Sequence, residues 1–316
     1  MVKNNTKLFN RLSLAILLTL TGVFFVAPTS AQAAVSGIFD YTAIAGKVRI
    51  DGCAATCPAG LVIPATLKVG TKNLPVTSIG DAAFAYLNKL TSVNIPSSVT
   101  SIGDYAFDTN KLTSVAIPSG VTSIGKAAFS ENSMTSVTIP SGVTRIGDYA
   151  FELNKLTSVT IPSSVTNIRD SAFAYNNLTS VNIPSSVTSI GDGAFLGNSL
   201  HSINIPSRVT VIRDYAFAGN KLTSVTIPSR VTSIGEAAFA ENKLTSVTIP
   251  SSVTSIRDEA FSHNKLSAMR FIGNAPRASS NSFQWAMKNA KAYRHKSAKG
   301  FPRKGVKWNG LITADW

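Results

Sequence analysis

Long apolar runs are missing from this chain everywhere except at its start, so no segment after residue 33 is expected to span a bilayer. The exception has the layout of a secretory leader. Lys3, Lys7 and Arg11 precede an apolar run from Leu12 to Ala27, and Ala31-Gln32-Ala33 offers a small-x-small cleavage site, so residues 1–33 read as a signal peptide cleaved near Ala33. The run is about 16 residues and is interrupted by Thr19, Thr21 and Gly22, short of the roughly 20 that a transmembrane helix needs. No lipobox cysteine follows it and no sorting signal closes the chain, so the mature protein is expected to be soluble once exported.

Cysteine and histidine are scarce too. Cys53 and Cys57 are the only thiols, and His201, His263 and His295 lie far along the chain from them, too remote to complete a zinc site. The spacing of the pair also differs from the C-x-x-C of thioredoxin-like centres, and no βαβ pattern surrounds it. In an exported chain two cysteines default to a disulfide, with a metal site as the alternative. No serine sits in a G-x-S-x-G elbow, and serine is too common for any one to stand out as a nucleophile. The sequence therefore offers no catalytic residue, no metal site and no cofactor site.

What is abundant is repetition. Residues 244–265, LTSVTIPSSVTSIRDEAFSHNK, state a 22-residue frame that begins at Leu90 and restarts at Leu112, Met134, Leu156, Leu178, Leu200, Leu222 and Leu244, with a decaying ninth copy from Leu266. A fixed period this short means a solenoid. Within the module, Leu244, Val247 and Ile249 make a short strand that Pro250 closes, because proline cannot donate to a ladder. Val253 and Ile256 give a second apolar pair. Asp258 is placed to cap a single helical turn, 3₁₀ or α, and the small residue of Ala260-Phe261 lets backbone approach while the ring fills the space between coils. Asn264 and its equivalents at every twenty-second residue from Asn88 to Asn242 predict an asparagine ladder, each amide satisfying backbone groups that the bend leaves unpaired.

The consensus L-x-x-V-x-I-P-x-x-V-x-x-I-G-x-x-A-F-x-x-N resembles the leucine-rich repeat of BspA-like bacterial surface proteins. The resemblance covers about residues 61–290 and includes the IP, SVTSIG and AF elements, as in Ile95-Pro96 and Ala106-Phe107. It implies an exported, curved, right-handed α/β-type stack of coils with short parallel strands and short helical turns, capped at both ends. Many members of that family are regarded as adhesins for host or neighbouring-cell macromolecules. The chain departs from the pattern where the glycine of SIG becomes Arg169, Arg213 and Arg257, so that position does not demand a positive φ.

The frame divides the chain into the leader, an N-terminal cap with a first irregular repeat (34–89), eight repeats (90–265) and a basic C-terminal cap (266–316). In the first cap, Tyr41 to Ile50 alternates like one strand. Phe84 and Phe107 are 23 residues apart, which predicts a small bulge near Leu87. In the last, Phe283, Ala286, Met287 and Ala290 fall at i, i+3, i+4, i+7 and predict a short amphipathic helix, followed by a last strand or two carrying Tyr293, Trp308 and Leu311.

For function, the exposed strand positions are serine at the third place and Thr, Asn or Ala at the fifth. Such a neutral face reads as a soluble β surface. A sugar site or protein hot spot usually has aromatic or Arg anchors, which it lacks, and curvature opposes an ice-binding array. The acidic row at Asp104, Asp148, Asp170, Asp192, Asp214, Glu236 and Asp258, broken by Lys126, reads as turn caps, with a calcium row as the alternative. The sequon at Asn177 is a chance match at this Ser/Thr content. Variation gathers after the acid, at Tyr105, Tyr149 and Tyr215, and past the proline, where Arg208 and Arg230 occupy adjacent coils and, with Arg213 and Arg257, suggest a basic strip against the plainer reading of solvated charge.

The charge balance is uneven. Net charge is +14, and from Arg270 onward ten Lys or Arg face one acid, Asp315, giving that end +9. Lys288, Lys291, Arg294, Arg303, Lys304 and Lys307 are the candidate contacts for a polyanion. The expected protein is thus a monomeric, non-catalytic binder of an extracellular or cell-surface protein or acidic glycan. No physiological nucleic-acid partner is expected of an exported chain, and the alternative is a structural envelope protein with no dedicated ligand.

Overall fold

The computed structural model describes residues 32–316; the leader expected over residues 1–33 lies outside them but for its last two positions, which open the first strand. β1 (Gln32–Ser36), β2 (Phe39–Ile44) and β3 (Lys47–Cys53) form an antiparallel meander. The stretch expected as one alternating strand is therefore two. The chain reverses at Ala45-Gly46, where both φ angles are positive (50° and 75°), as a two-residue hairpin turn of type I′ requires. β4 (Gly60–Val62) lies parallel to Ser92–Asn94, β5 (Thr66–Val69) and β6 (Lys72–Ile79) form a hairpin, and β6 lies parallel to both β3 and Ser101–Ile102. The cap thus hands the chain over to two parallel columns of short strands.

From there the molecule is a leucine-rich repeat solenoid. In the coil from Leu244 the first strand is Ser246–Ile249 and the second Ser255–Ile256, and Leu244, Val247, Ile249, Val253, Ile256, Ala260 and Phe261 are all buried. Each large apolar side chain removed from water contributes roughly 1.5–3 kcal/mol. The phenylalanines form one column from Phe84 to Phe283, with neighbouring centroids 5.3 to 6.0 Å apart and ring planes within 3° to 19° of parallel. That spacing lies in the favourable range for aromatic pairs.

The asparagine ladder is present from Asn110 to Asn264. Asn176 donates to the carbonyls of Phe151 in the preceding coil (2.8 Å) and of Phe173 and Ala174 in its own (3.3 and 3.1 Å), while its Oδ1 accepts the N–H of Leu156 at 3.0 Å. Asn88 is the exception to the expected series. It is exposed and its side chain bonds only the Tyr86 carbonyl, at 3.3 Å, because the extra residue after Phe84 puts Asn88 itself in a left-handed conformation (φ 55°) that no other ladder asparagine adopts, and carries the amide out of line.

No residue among those described is helical, which corrects the expected turn of helix and the C-terminal amphipathic helix. The reason lies in where the turn's N–H groups go. Tyr105, Phe107 and Thr109 donate to the carbonyls of Lys126, Ala128 and Ser130 in the next coil, at 2.6, 2.8 and 3.0 Å, so they cannot close an i→i−4 ladder. Tyr105 and Thr109 also have positive φ (58° and 53°), incompatible with a right-handed helix. Nor do the acids cap their own turns. Oδ1 of Asp104, Asp170 and Asp214 accepts the N–H of the equivalent residue one coil later, at 2.7 to 2.9 Å. In the C-terminal region Phe283 joins the phenylalanine column, Met287 is exposed, and Ala286 and Ala290 close i→i−3 turns. The parallel strands continue through Ala268–Phe271, Lys291–Arg294 and Leu311–Asp315, and Trp308 closes the column against Phe271, Phe283 and Phe301.

The arginines at the SIG glycine mark breaks in the second column. Its ladder is interrupted before Asn167–Ile168 and before Val211–Ile212, the strands that lead into Arg169 and Arg213. None of the SIG glycines has a positive φ, but a Cβ built on Gly125 or Gly147 would lie 2.5 Å from backbone of the preceding coil. A side chain there pushes the coils apart. Arg257 nevertheless keeps its N–H bond to Ile234 at 2.9 Å.

Because each ring is enclosed by two others, truncating one leaves a cavity that the stack cannot fill. Phe173→Ala is expected to cost roughly 3–5 kcal/mol. Chemical denaturation measures this directly, and a loss below about 1 kcal/mol would contradict a fully enclosed ring.

Candidate functional site

Within the repeats the exposed positions of the first strand column are Ser, Thr, Asn and Ala, as the frame predicts, and offer no anchor; the second column exposes Arg145 and Val211 singly. Departures from the frame begin in the C-terminal coils. Arg270 stands in register with Thr248, and Tyr293 with Arg270; Lys291 follows Ser246 and Ala268 at the other exposed position. Across the next strands Ile312 pairs with both Lys291 and Lys307, so these two lysines flank it on one face. The indole of Trp316 covers the Arg270 guanidinium at 4.1 Å, a cation–π contact. Arg270, Tyr293 and Trp316 were not among the candidate ligand contacts read from sequence, where Tyr293 is expected only in a last strand. The available signal was a charge at Arg270 where every full repeat has Thr, Asn or Ala.

The candidates for polyanion contact fall into two groups. Lys288, Lys291, Arg303, Lys304 and Lys307 are exposed. Arg294 is different: its side chain is only 12% exposed, lies 3.4 Å from the Asp315 carboxylate and donates to the carbonyls of His295 and Lys296. It holds the last strands together and is not presented to a ligand.

Arg208 and Arg230 are both exposed in adjacent coils, and neither forms an ion pair among the described residues. The wider basic strip does not form. Arg213 turns to Asp192 at 4.0 Å, and Arg257 reaches Asp214 at 2.6 Å and Glu236 at 3.6 Å. Lys126, which interrupts the acidic row, lies 5.5 Å from the Tyr105 ring and 5.7 Å from the Tyr149 ring, so its ammonium is bracketed by aromatic faces of the neighbouring coils.

Cys53 ends β3 and faces Cys57 across a Cα–Cα distance of 5.6 Å, a separation that a disulfide spans, at a tight loop near the N-terminal strands. Among the described residues no three His, Cys, Asp or Glu side chains are placed to hold a metal ion, and no helix is long and apolar enough to cross a membrane.

The N-terminal half of the turn edge is acidic. Burial pushes the Asp108 carboxyl up, with Glu131 adding repulsion, although a hydrogen bond with Tyr86 opposes the shift. Glu152 is likewise pushed up by burial first and then by the charges of Glu131 and Asp108. The turn edge therefore carries clustered negative charge near one end of the stack, while the exposed cations of the last coils gather at the other.

A family model described as BspA-type leucine-rich repeat region, in six copies, matches residues 69–179 and 166–289. Repeats of this kind are generally non-catalytic interaction scaffolds. A leucine-rich repeat protein from Bacteroides ovatus is similar in structure, with a TM-score of 0.72 and 27% identity over 89% of this chain and 75% of that one. The pneumococcal vaccine antigen PcpA shares the fold at a TM-score of 0.54 and 17% identity, over 85% of this chain and 95% of its own. No curated protein matches the chain.

Raised carboxyl pKa values mean that the folded state holds more protons than the unfolded chain between the ordinary values, 3.8 for Asp108 and 4.5 for Glu152, and the higher folded ones. Stability contributed by this cluster therefore falls as pH rises through that window. Glu131→Gln removes the shared repulsion and is expected to raise the denaturation midpoint at neutral pH while flattening its pH dependence just above the ordinary carboxylate range. An unchanged pH profile of urea denaturation would show that the three carboxylates do not interact.

Proposed function

This chain belongs to the BspA-type leucine-rich repeat family, and from that premise we propose that it is an exported, non-catalytic module that binds polyanionic macromolecules, an acidic surface glycan or an acidic surface protein, through its last coils. The observation that carries the reading is the coincidence of exposed cations with the part of the first strand column that has aromatic and arginine anchors: Lys291 and Lys307 beside Ile312, and Arg270 under Trp316. Capping a solenoid requires only a polar outer face. The surplus of +9 at this end goes well beyond that and gives a field that draws in anions. Export rests on the leader pattern of residues 1–33, and action as a monomer at the cell surface is part of the same proposal. Arg208 and Arg230 are a second, smaller basic element on the flank. The bland hydroxyl face of the repeats favours one rival, an envelope protein with no dedicated ligand.

The two readings separate on salt. Wild type and a variant with Arg303→Glu, Lys304→Glu and Lys307→Glu are compared on heparin-like and cell-wall matrices across a salt gradient; Arg294 is left intact because it is paired with Asp315. Polyanion binding predicts later elution of the wild type and a shallower salt dependence for the variant. Elution of both together at low salt would leave the rival standing.

In the N-terminal cap we propose that Cys53 and Cys57 are bridged in the exported protein. A three-residue spacer removes little unfolded-state entropy, so reduction should shift stability by far less than the 2–4 kcal/mol typical of disulfides. Mass spectrometry of the unreduced mature chain is expected to give the oxidised mass, and two free thiols would reverse the assignment.

A further inference from the structure

A trough lies on the turn edge of the C-terminal half, beginning one coil beyond Glu152 of the acidic cluster and on a different side of the coil from the exposed strand face. Its cavity is about 550 Å³, floored by the small apolar cluster of Ala218, Ala237 and Ala240 with Leu196 packed against it. It exists because of two glycines. The turn position two residues after the module phenylalanine carries Glu131, Leu153 and Tyr175 in earlier coils and His263 and Trp285 in later ones, but Gly197 and Gly219 in between. All of these have positive φ, so the backbone is the same and only side-chain bulk is lost.

The walls are fixed aromatic surfaces. The Tyr175 ring lies directly over Gly197, where a Cβ would come within 2.7 Å of its Cδ1. The Tyr215 phenol donates to Glu236 at 2.6 Å, which holds its ring in place and pushes its pKa up to about 12. At the far end His263 is stacked on Trp285 at 5.3 Å. Four coil steps of 5.4 to 5.9 Å separate the Tyr175 coil from that of His263, so the trough is elongated. Its polar groups are acceptors for the most part: the carboxylates of Glu241 and Glu259 line it. Ser262 also lines it and is only 1% exposed, and its hydroxyl has no hydrogen-bond partner among the described residues. A buried hydroxyl left unpaired costs free energy until something bonds it.

We propose that this trough is a glycan-binding subsite for a chain of neutral or amino-bearing sugars. The flat apolar floor and tyrosine faces match the C–H faces of sugar rings, and carboxylates accept hydrogen bonds from sugar hydroxyls or an ammonium. With two carboxylates and no Lys or Arg in its lining, the trough repels acidic sugars, so it is separate from the polyanion reading of the last coils and does not depend on it. A basic peptide would also use the carboxylates, and oligolysine represents it in the test below.

The test is titration calorimetry of the mature full-length protein with cello- and chito-oligosaccharides, fully de-N-acetylated chito-oligosaccharide, heparin oligosaccharide and oligolysine. Binding of at least one of the first three is expected. Tyr175→Ala should weaken that binding about tenfold. Gly219→Leu should abolish it with the fold retained: a side chain at φ +64° is strained and lowers the melting temperature somewhat, but Leu153 adopts φ 53° at the equivalent position and a Cβ on Gly219 meets nothing closer than 3.5 Å. The Arg303→Glu, Lys304→Glu, Lys307→Glu variant should bind these sugars like wild type, so loss of heparin binding in that variant bears only on the last coils. The proposal is overturned if wild type binds none of the three glycans, if only oligolysine occupies the site, or if both trough variants bind as wild type does.

Discussion

The asparagine amide that reaches back to the phenylalanine carbonyl of the preceding coil is the contact on which the rest of the stack depends. The bend after each phenylalanine leaves carbonyls and a leucine N–H facing the protein interior, where no water can serve them. One side chain answers all of them, with Nδ2 donating to three carbonyls and Oδ1 accepting the N–H of the leucine that opens its own repeat, as Asn176 does. Removing such a group would leave several buried polar atoms unpaired, each costing about 1–3 kcal/mol. The bond also fixes the distance between coils, and the phenylalanine rings, at 5.3 to 6.0 Å, settle into contact at that distance.

With the bend secured from inside, the turn is free to bond outward. Alternate N–H groups of the turn run to the next coil, and in most coils the residues two before and two after the phenylalanine take the left-handed conformation. Side chains on the turn edge therefore carry little structural duty. The same backbone supports Tyr, Glu, Leu, Gly, His and Trp at one position. That freedom produces the acidic cluster in one half of the edge and the aromatic trough in the other, with no change in the coil beneath. The SIG position behaves in the opposite way. There the coils touch through backbone, and an arginine coincides with a broken ladder at two of its three sites.

The ends of the stack solve different problems. At the N terminus an antiparallel meander supplies β3 as a first parallel partner, so the exposed ladder edge is covered by strand. At the C terminus the parallel strands run on through the last residues, and Trp308 with Phe301 covers the final phenylalanine. The half-buried pair Arg294–Asp315 ties these strands together, which uses one of the basic residues of this end and leaves the others exposed.

Much of this was legible in the sequence, because a period of 22 records burial directly: Leu, Val, Ile, Val, Ile, Ala and Phe recur where side chains must point inward, and Asn where an amide must serve a buried bend. The concentration of cations after Arg270 was equally plain. Tertiary structure decided what depends on a neighbour a full coil away. The turn looks like a capped helix when Asp258 and Ala260-Phe261 are read locally; it is not one, because its N–H groups find acceptors in the adjacent coil. Asn88 keeps the period yet leaves the ladder, since one inserted residue turns it outward. Arg294 looks like its basic neighbours until Asp315 is brought beside it, and Gly197 and Gly219 become a trough only when Tyr175 and His263 stand at its two ends. Sequence specifies each coil, whereas charge pairing, hydrogen-bond direction and surface relief are set between coils, where residues 22 or more apart meet within hydrogen-bond distance.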